Sequence, residues 1–396
     1  MENHTNNIDS QFHSEEAAPH SNPSFVGGAI KKGSKVYNED YKVFWKHSNI
    51  LLGEVVVSGV FDGHGGYNGM LISAYCGNSL ITSLDTNKDS CLSWPIDKWC
   101  SYLQTLFPLM HDSSRELLVS SSPNRFIDGK GVVRTVSGDP VHGGTTATII
   151  VLLTGADGKR TVISANVGDS TAMLISSRLP NGYKFLSKDH SPDEEEEWKR
   201  IKDLDEKIYP EKLLCVYDKS NVYRKFQCPL VFDTSGVKVP IYVTDPWGNG
   251  LHPSNVRYEA AVYAVTSGNV ERDTTCIAMT RSIGDFYAHQ FGLSCEATIT
   301  VDELDGGESF IATGSDGIWD TWKWKEFATA LTTTFEQKST GKVVDDSLLE
   351  EVAETMVTSS YTMFAENFGA KHIDDLSLVV TKVPSANVAK ADASTP

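Results

Sequence analysis

Apolar residues fall into two periods along this chain. Short, β-branched runs read as strands: Glu54–Phe61 (EVVVSGVF), Ala147–Leu153 (ATIIVLL), Thr161–Asn166, Ala172–Ser176, Phe310–Thr313 and Leu376–Lys382. Most are bounded by Gly, Asp or Asn, the residues that turn a chain out of a sheet. Spacing by three and four predicts helices over Tyr67–Leu84, Ile96–Ser120, Asp193–Lys207, Lys323–Thr334 and Ser347–Phe368. The third follows Pro192 and opens with Glu194 to Glu197, acids that suit the positive end of a helix. Several strands follow one another before the next helix. That order favours antiparallel sheets covered by helices over a strictly alternating parallel fold.

The ends differ from the middle. Residues 1–24 are polar, without a hydrophobic period, and predict a disordered leader; 384–396 predicts a frayed tail. Between them, 25–383 reads as one elaborated domain. Residues 205–269, rich in Tyr and Pro and carrying an Asp-Pro-Trp-Gly turn at 245–248, read as a loop-rich insertion lying over it. The chain has 396 residues, with Lys+Arg 35 against Asp+Glu 52 and a net charge of −17. Such an acidic chain gives no reason to expect nucleic-acid binding. No apolar run approaches the ~18–20 residues of a membrane span, and the amino-terminal stretch has no secretory core. The seven cysteines are scattered, form no CxxC pair and fit a reducing compartment. These features predict a soluble, intracellular monomer.

Aspartates carry the chemical signal. Five Asp-Gly pairs begin at Asp62, Asp128, Asp157, Asp305 and Asp316. The middle three sit among polar residues and read as turns. Asp62 and Asp316 each close an apolar strand, Asp374 stands just before one, and Asp169 occupies a turn between two. These are either acidic turns on an acidic surface or carboxylates gathered at one end of a sheet. In the second case their repulsion calls for a cation, and oxygen-only donors select Mg²⁺, Mn²⁺ or Ca²⁺ over zinc. In Asp62-Gly63-His64-Gly65-Gly66 the glycines let the backbone approach a ligand, so Gly63 could offer its carbonyl. His64 beside a carboxylate is placed for proton transfer near neutral pH.

An ordered series of motifs resembles the metal-dependent protein serine/threonine phosphatases of type 2C, the PPM family. The series is Asn38-Glu39-Asp40, Val60-Phe61-Asp62-Gly63-His64-Gly65-Gly66, Gly143-Gly144-Thr145-Thr146-Ala147, Asn166-Val167-Gly168-Asp169-Ser170, Lys188-Asp189-His190-Ser191-Pro192, Thr280-Arg281-Ser282-Ile283-Gly284-Asp285, Ser315-Asp316-Gly317-Ile318-Trp319-Asp320 and Asp374-Asp375-Leu376-Ser377. The resemblance implies an α+β fold: a four-layer αββα sandwich of two antiparallel sheets flanked by helices. It implies two Mn²⁺ or Mg²⁺ ions bridged by Asp62. Asp316 and Asp374 would complete the first ion, and the Gly63 carbonyl would bind the second with Glu39 and Asp40. Asp169 matches a position tied to a weaker third metal. It further implies hydrolysis of phosphoserine and phosphothreonine in phosphoprotein partners by a metal-bridged hydroxide, with His64 as general acid. Where the family usually carries a phosphate-gripping arginine, this chain has Lys35, a charge without the bidentate fork. Arg281 and Asp285 are expected to form a buried structural ion pair. The stretches 85–142 and 190–281 are longer than the resemblance leads one to expect. The competing readings are a catalytically inactive scaffold of the same family, which should have lost ligands, and a small-molecule phosphatase of the same fold.

Overall fold

The computed structural model describes residues 23–217, 229–239, 254–266 and 274–385. Nearly all of the expected leader and tail, the 245–248 turn and Cys228 lie outside the described residues.

Ten strands build two five-stranded sheets: β1 (Phe25–Lys31), β2 (Tyr41–Asn49), β3 (Gly53–Phe61), β4 (Ala147–Gly155), β5 (Arg160–Val167), β6 (Thr171–Ile175), β7 (Tyr183–Phe185), β8 (Thr298–Glu303), β9 (Ser309–Gly314) and β10 (Leu376–Val383). One sheet runs β1-β10-β9-β6-β7 and the other β8-β5-β4-β3-β2, with antiparallel pairing throughout. Helices α1 (Tyr67–Cys91) and α2 (Ile96–Ser120) cover the second sheet. Helices α5 (Trp324–Ser339) and α6 (Asp346–Phe368) cover the first. Between them come α3 (Glu195–Lys202) and the single turn α4 (Asp316–Trp319). The four-layer αββα sandwich expected from the sequence is the architecture found.

Strand composition follows from this layering. In β3, Val56 and Val60 face the space between the sheets, whereas Val55, Val57 and Phe61 pack under α1 and α2. The same division holds for Ile150 and Leu152 against Ile149 and Val151 in β4, and for Ile311 against Phe310 and Ala312 in β9. Each central strand is buried on both faces, so period-two alternation collapses into a continuous apolar run.

Four of these ten strands escape the sequence reading. In β1 (FVGGAIK), Gly27 and Gly28 hide the pattern, and the reason is packing. A Cβ on Gly27 would stand 2.2 Å from the Glu350 nitrogen and 2.4 Å from the Leu349 carbonyl carbon, because α6 lies directly on the strand backbone. β2, β7 and β8 are edge strands, mostly half-buried, and carry the mixed composition of an edge. The observed α3 is shorter than the predicted 193–207, although Glu195, Glu196 and Glu197 do occupy its first turn. Beyond it, 205–269 contributes Leu214–Val216 and Tyr263–Val265, which with Cys276–Ile277 form a separate small sheet. Its apolar side packs with Ile201, Tyr287 and Phe291 in a cluster apart from the sandwich core.

Candidate active site

Another very small sheet assembles the site. Gly63–His64 pairs with Gly144–Thr145, which pairs with Ile283–Gly284. Three motifs from distant parts of the chain thus meet at the end of β3. Asp62 is fixed from both sides: its N–H donates to Thr146 Oγ1 at 3.1 Å, and its carbonyl accepts from the Thr146 N–H at 2.9 Å. Gly144 permits the close approach, since a Cβ there would lie 2.1 Å from Asp285 Oδ2. Gly63 is constrained likewise, for a side chain would meet the Glu39 carbonyl at 2.4 Å.

Around Asp62 gather most of the residues singled out by sequence. Asp62, Glu39 and Asp40 are buried; Asp316, Asp374 and Asp169 are half-buried. Burial pushes the Asp62 carboxyl well above its usual range, and the negative charges of Asp40, Asp374 and Asp169 push it further against the opposing Lys35. Asp316 is raised in the same way by burial, then by Asp62, Asp374 and Asp169. Asp40 is held at about 7, mainly by burial, with Ser377 Oγ donating to its Oδ2 at 2.8 Å. Glu39 is raised by burial, although Lys35 opposes the shift; its Oε1 accepts the Gly66 N–H at 3.0 Å. Asp375 anchors this corner by accepting the Glu39 N–H at 2.8 Å and the Gly33 N–H at 2.7 Å.

Sequence reasoning missed one member. Asp320, at the carboxyl end of α4, is raised well above the carboxylate range chiefly by burial, which prevails over the opposing pull of Arg257, with repulsion from Asp169 and Asp374 adding to it. Arg257, from the insertion, stands 3.9 Å from Asp320 Oδ1, donates to the carbonyls of Trp319 and Trp322, and lies over the Trp324 ring. The signal in the sequence is that Asp320 closes the motif that carries Asp316.

No set of three or more His, Cys, Asp or Glu side chains among the described residues is disposed to hold a metal ion. The donor chemistry nonetheless suits a hard divalent cation. The acids are oxygen donors whose mutual repulsion a cation would relieve, and Asp40 Oδ1 and Asp169 Oδ1 are buried without a hydrogen-bond partner. Two side-chain cations meet this group among the described residues: Lys35, whose Nζ lies 2.5 Å from Asp374 Oδ1, and more distantly Arg257 beside Asp320.

His64 is tethered to an acid from a different segment. Its Nε2 is 2.6 Å from Asp285 Oδ2, which also accepts the Ser282 hydroxyl at 2.6 Å. Burial disfavours the imidazolium, but the charge and hydrogen bond of Asp285 prevail and raise the His64 pKa. Asp285 itself adopts φ 45, a left-handed conformation that aims its carboxylate at the ring. The expected Arg281–Asp285 pair is therefore corrected. Arg281 instead grips Glu197, with Nη2 2.5 Å from Oε1, because helix α3 brings Glu197 to the far side of the turn.

Comparison with known proteins follows the same lines. A family model described as "Protein phosphatase 2C" matches residues 32–217 and 256–366. The Arabidopsis thaliana protein named "Probable protein phosphatase 2C 41" is 25% identical over 312 residues, spanning 76% of this chain and 68% of its own. "Probable protein phosphatase 2C 65" from the same plant is 24% identical over 362 residues, 90% and 75% of the two chains. Among solved structures, a serine-threonine phosphatase 2C from Toxoplasma gondii superposes with a TM-score of 0.53 at 16% identity, covering 92% of this chain and 96% of that one. A C. elegans sex determining protein gives 0.53 at 17%, covering 94% and 67%. At such identities the structural likeness speaks for the fold alone.

Proposed function

The chain belongs to the protein phosphatase 2C family of serine/threonine phosphatases, and on that premise we propose that it removes phosphate from phosphoserine and phosphothreonine in proteins, using divalent cations held by the acid cluster. The observation that carries this reading is the gathering of Asp62, Asp316, Asp374, Asp169 and Asp40 into one mutually repelling group, with orphaned carboxylate oxygens and an adjacent, tethered histidine. Asp62, Asp316 and Asp374, with the Gly63 carbonyl, Glu39 and Asp40, are the residues that would hold two Mn²⁺ or Mg²⁺ ions; Asp169 would hold a weaker third. When bound, such ions supply positive charge toward phosphoryl oxygens and make a water molecule more acidic.

The rest of the work falls to the chain itself. Thr146 fixes the main chain of Asp62 through its own backbone and hydroxyl, holding the point from which the carboxylate springs. His64 carries the proton that a serine or threonine alkoxide needs on departure. Asp285 occupies Nε2, so the transferable proton is the one on Nδ1. Asp285 then plays the orienting part that a carboxylate plays for other catalytic histidines. Lys35 offers a cation for the phosphoryl group as well as for Asp374.

The test is turnover of a phosphothreonine peptide by the full chain with Mn²⁺ or Mg²⁺. EDTA should abolish it, and Asp62→Asn or Asp316→Asn should each lower it at least ~100-fold, since each deletes a charge on which cation binding depends. Undiminished turnover by Asp316→Asn protein, or in EDTA, would refute the reading.

A further inference from the structure

Lys35 is delivered to Asp374 by its neighbours, not by chance of a long side chain. The Gly33 N–H donates to Asp375 Oδ1 at 2.7 Å, and the Ser34 N–H donates to the Ile373 carbonyl at 2.8 Å. The Ser34 hydroxyl adds bonds to the same carbonyl at 2.9 Å and to that of Lys371 at 3.0 Å. Gly33 lets the two segments close up completely, since a Cβ would lie 2.2 Å from the Asp374 carbonyl oxygen. The backbone of 33–34 is thereby stitched to 371–375, and Lys35, the next residue, emerges over Asp374. Its ammonium lies 2.5 Å from Asp374 Oδ1 and feels the charges of Asp62 and Glu39 as well.

Resting on the reading above, we propose that Lys35 is a built-in competitor for the divalent cation at Asp374, and that cation binding displaces its amine toward the substrate phosphate. A carboxylate oxygen that holds an ammonium at contact distance cannot also take a divalent ion at ~2.0–2.2 Å without repulsion between the two cations. An ion on either oxygen of Asp374 would stand close to the amine on Oδ1, so its arrival favours the amine's departure. A lysine is suited to this, because its charge is compact and its four-carbon stem turns freely, whereas an arginine fork favours two oxygens at once. The displaced amine remains on a fixed backbone beside the cluster, and once ions neutralise the neighbouring carboxylates it is free to meet a phosphoryl group there. Cation loading and phosphate binding become successive uses of one charge.

The experiment is Mn²⁺ titration of the EDTA-stripped, dialysed full chain, read by the electron paramagnetic resonance of free Mn²⁺ and by calorimetry. It therefore needs no turnover. Lys35→Met should bind Mn²⁺ at least about tenfold more tightly than the unaltered protein, because the competing charge is gone. Lys35→Gln, which keeps the stem and a polar end, should do the same if methionine packs badly. Lys35→Arg retains the charge and should bind no more tightly than the unaltered protein. Lys32→Met is the control for general charge: its amine is turned to the Val36 carbonyl at 2.9 Å, so its loss should leave affinity unchanged. Equal or weaker Mn²⁺ binding by both uncharged Lys35 variants overturns the proposal while leaving the phosphatase reading intact. Equal tightening by Lys32→Met overturns it too, by reducing the effect to net charge. Failure of every protein to bind Mn²⁺ removes the metal reading, and this proposal with it.

Discussion

Glu197→Gln is expected to destabilise the protein by about 3 kcal/mol at neutral pH, and by less in acid. Glu197 is 3% exposed, in the first turn of α3. Its two oxygens receive Arg281 Nε at 3.1 Å each, Arg281 Nη2 at 2.5 Å, Arg200 Nε at 3.0 Å and the Thr280 hydroxyl at 2.7 Å. Burial alone would raise its pKa, but these donors and charges lower it from 4.5 to about 2. At about 1.4 kcal/mol for each tenfold change in proton affinity, the carboxylate form stabilises the fold by about 3 kcal/mol. Removing one partner of a buried ion pair costs a similar ~3–5 kcal/mol; glutamine, which can still accept from Thr280, belongs at the lower end. Because the folded pKa lies below the unfolded one, this contribution is complete above about pH 4.5 and disappears as pH falls toward 2. The difference between the two proteins should therefore be about 1.4 kcal/mol smaller at pH 3.5 than at pH 7. Urea unfolding followed by circular dichroism at both values measures it, provided the slope with denaturant is common to both proteins. A difference below about 1 kcal/mol at pH 7, or one that does not change with pH, would show that the cluster is not held by charge.

His64→Ala should lower kcat by about 100-fold or more while leaving Mn²⁺ affinity nearly unchanged, and Asp285→Asn should lower kcat in the same direction by less, since the ring remains but loses its anchor; steady-state kinetics with a phosphopeptide, alongside a metal titration, separates the two effects. Gly27→Ala should cost about 1–3 kcal/mol, because the added methyl meets the backbone of α6 at 2.2 Å and neither element can yield cheaply; thermal unfolding checks this, and an unchanged midpoint would mean α6 can lift from β1.

What the sequence made legible follows from burial and from local order. The six runs that read as strands are those whose two faces are both covered, so their apolar character is unbroken. β1 stayed hidden because close packing of α6 demands glycine, which carries no hydrophobic signal. Asp62 and Asp316 announced themselves by ending apolar strands. The partner of His64 could not be found that way: Asp285 lies 221 positions further on, and only the three-stranded mini-sheet joins them. For the same reason Arg281 was matched with the nearest acid in sequence, whereas folding supplies Glu197 from 84 positions away. Asp320 was in view but passed over, since a turn of helix puts it near Asp316 in a way that a linear motif does not display.

The neck of the insertion shows how this site tolerates a long excursion of chain. The Thr280 N–H donates to the His190 carbonyl at 2.8 Å, so the polypeptide leaves and returns through one pinched point. Whatever length is spooled out beyond that knot, the segment carrying Ser282 and Asp285 re-enters at the same height above His64. Growth of such a loop costs only the slow, logarithmic entropy of closing a longer ring. Evolution or an engineer could therefore trade this appendage for another while keeping His64 and Asp285 in register.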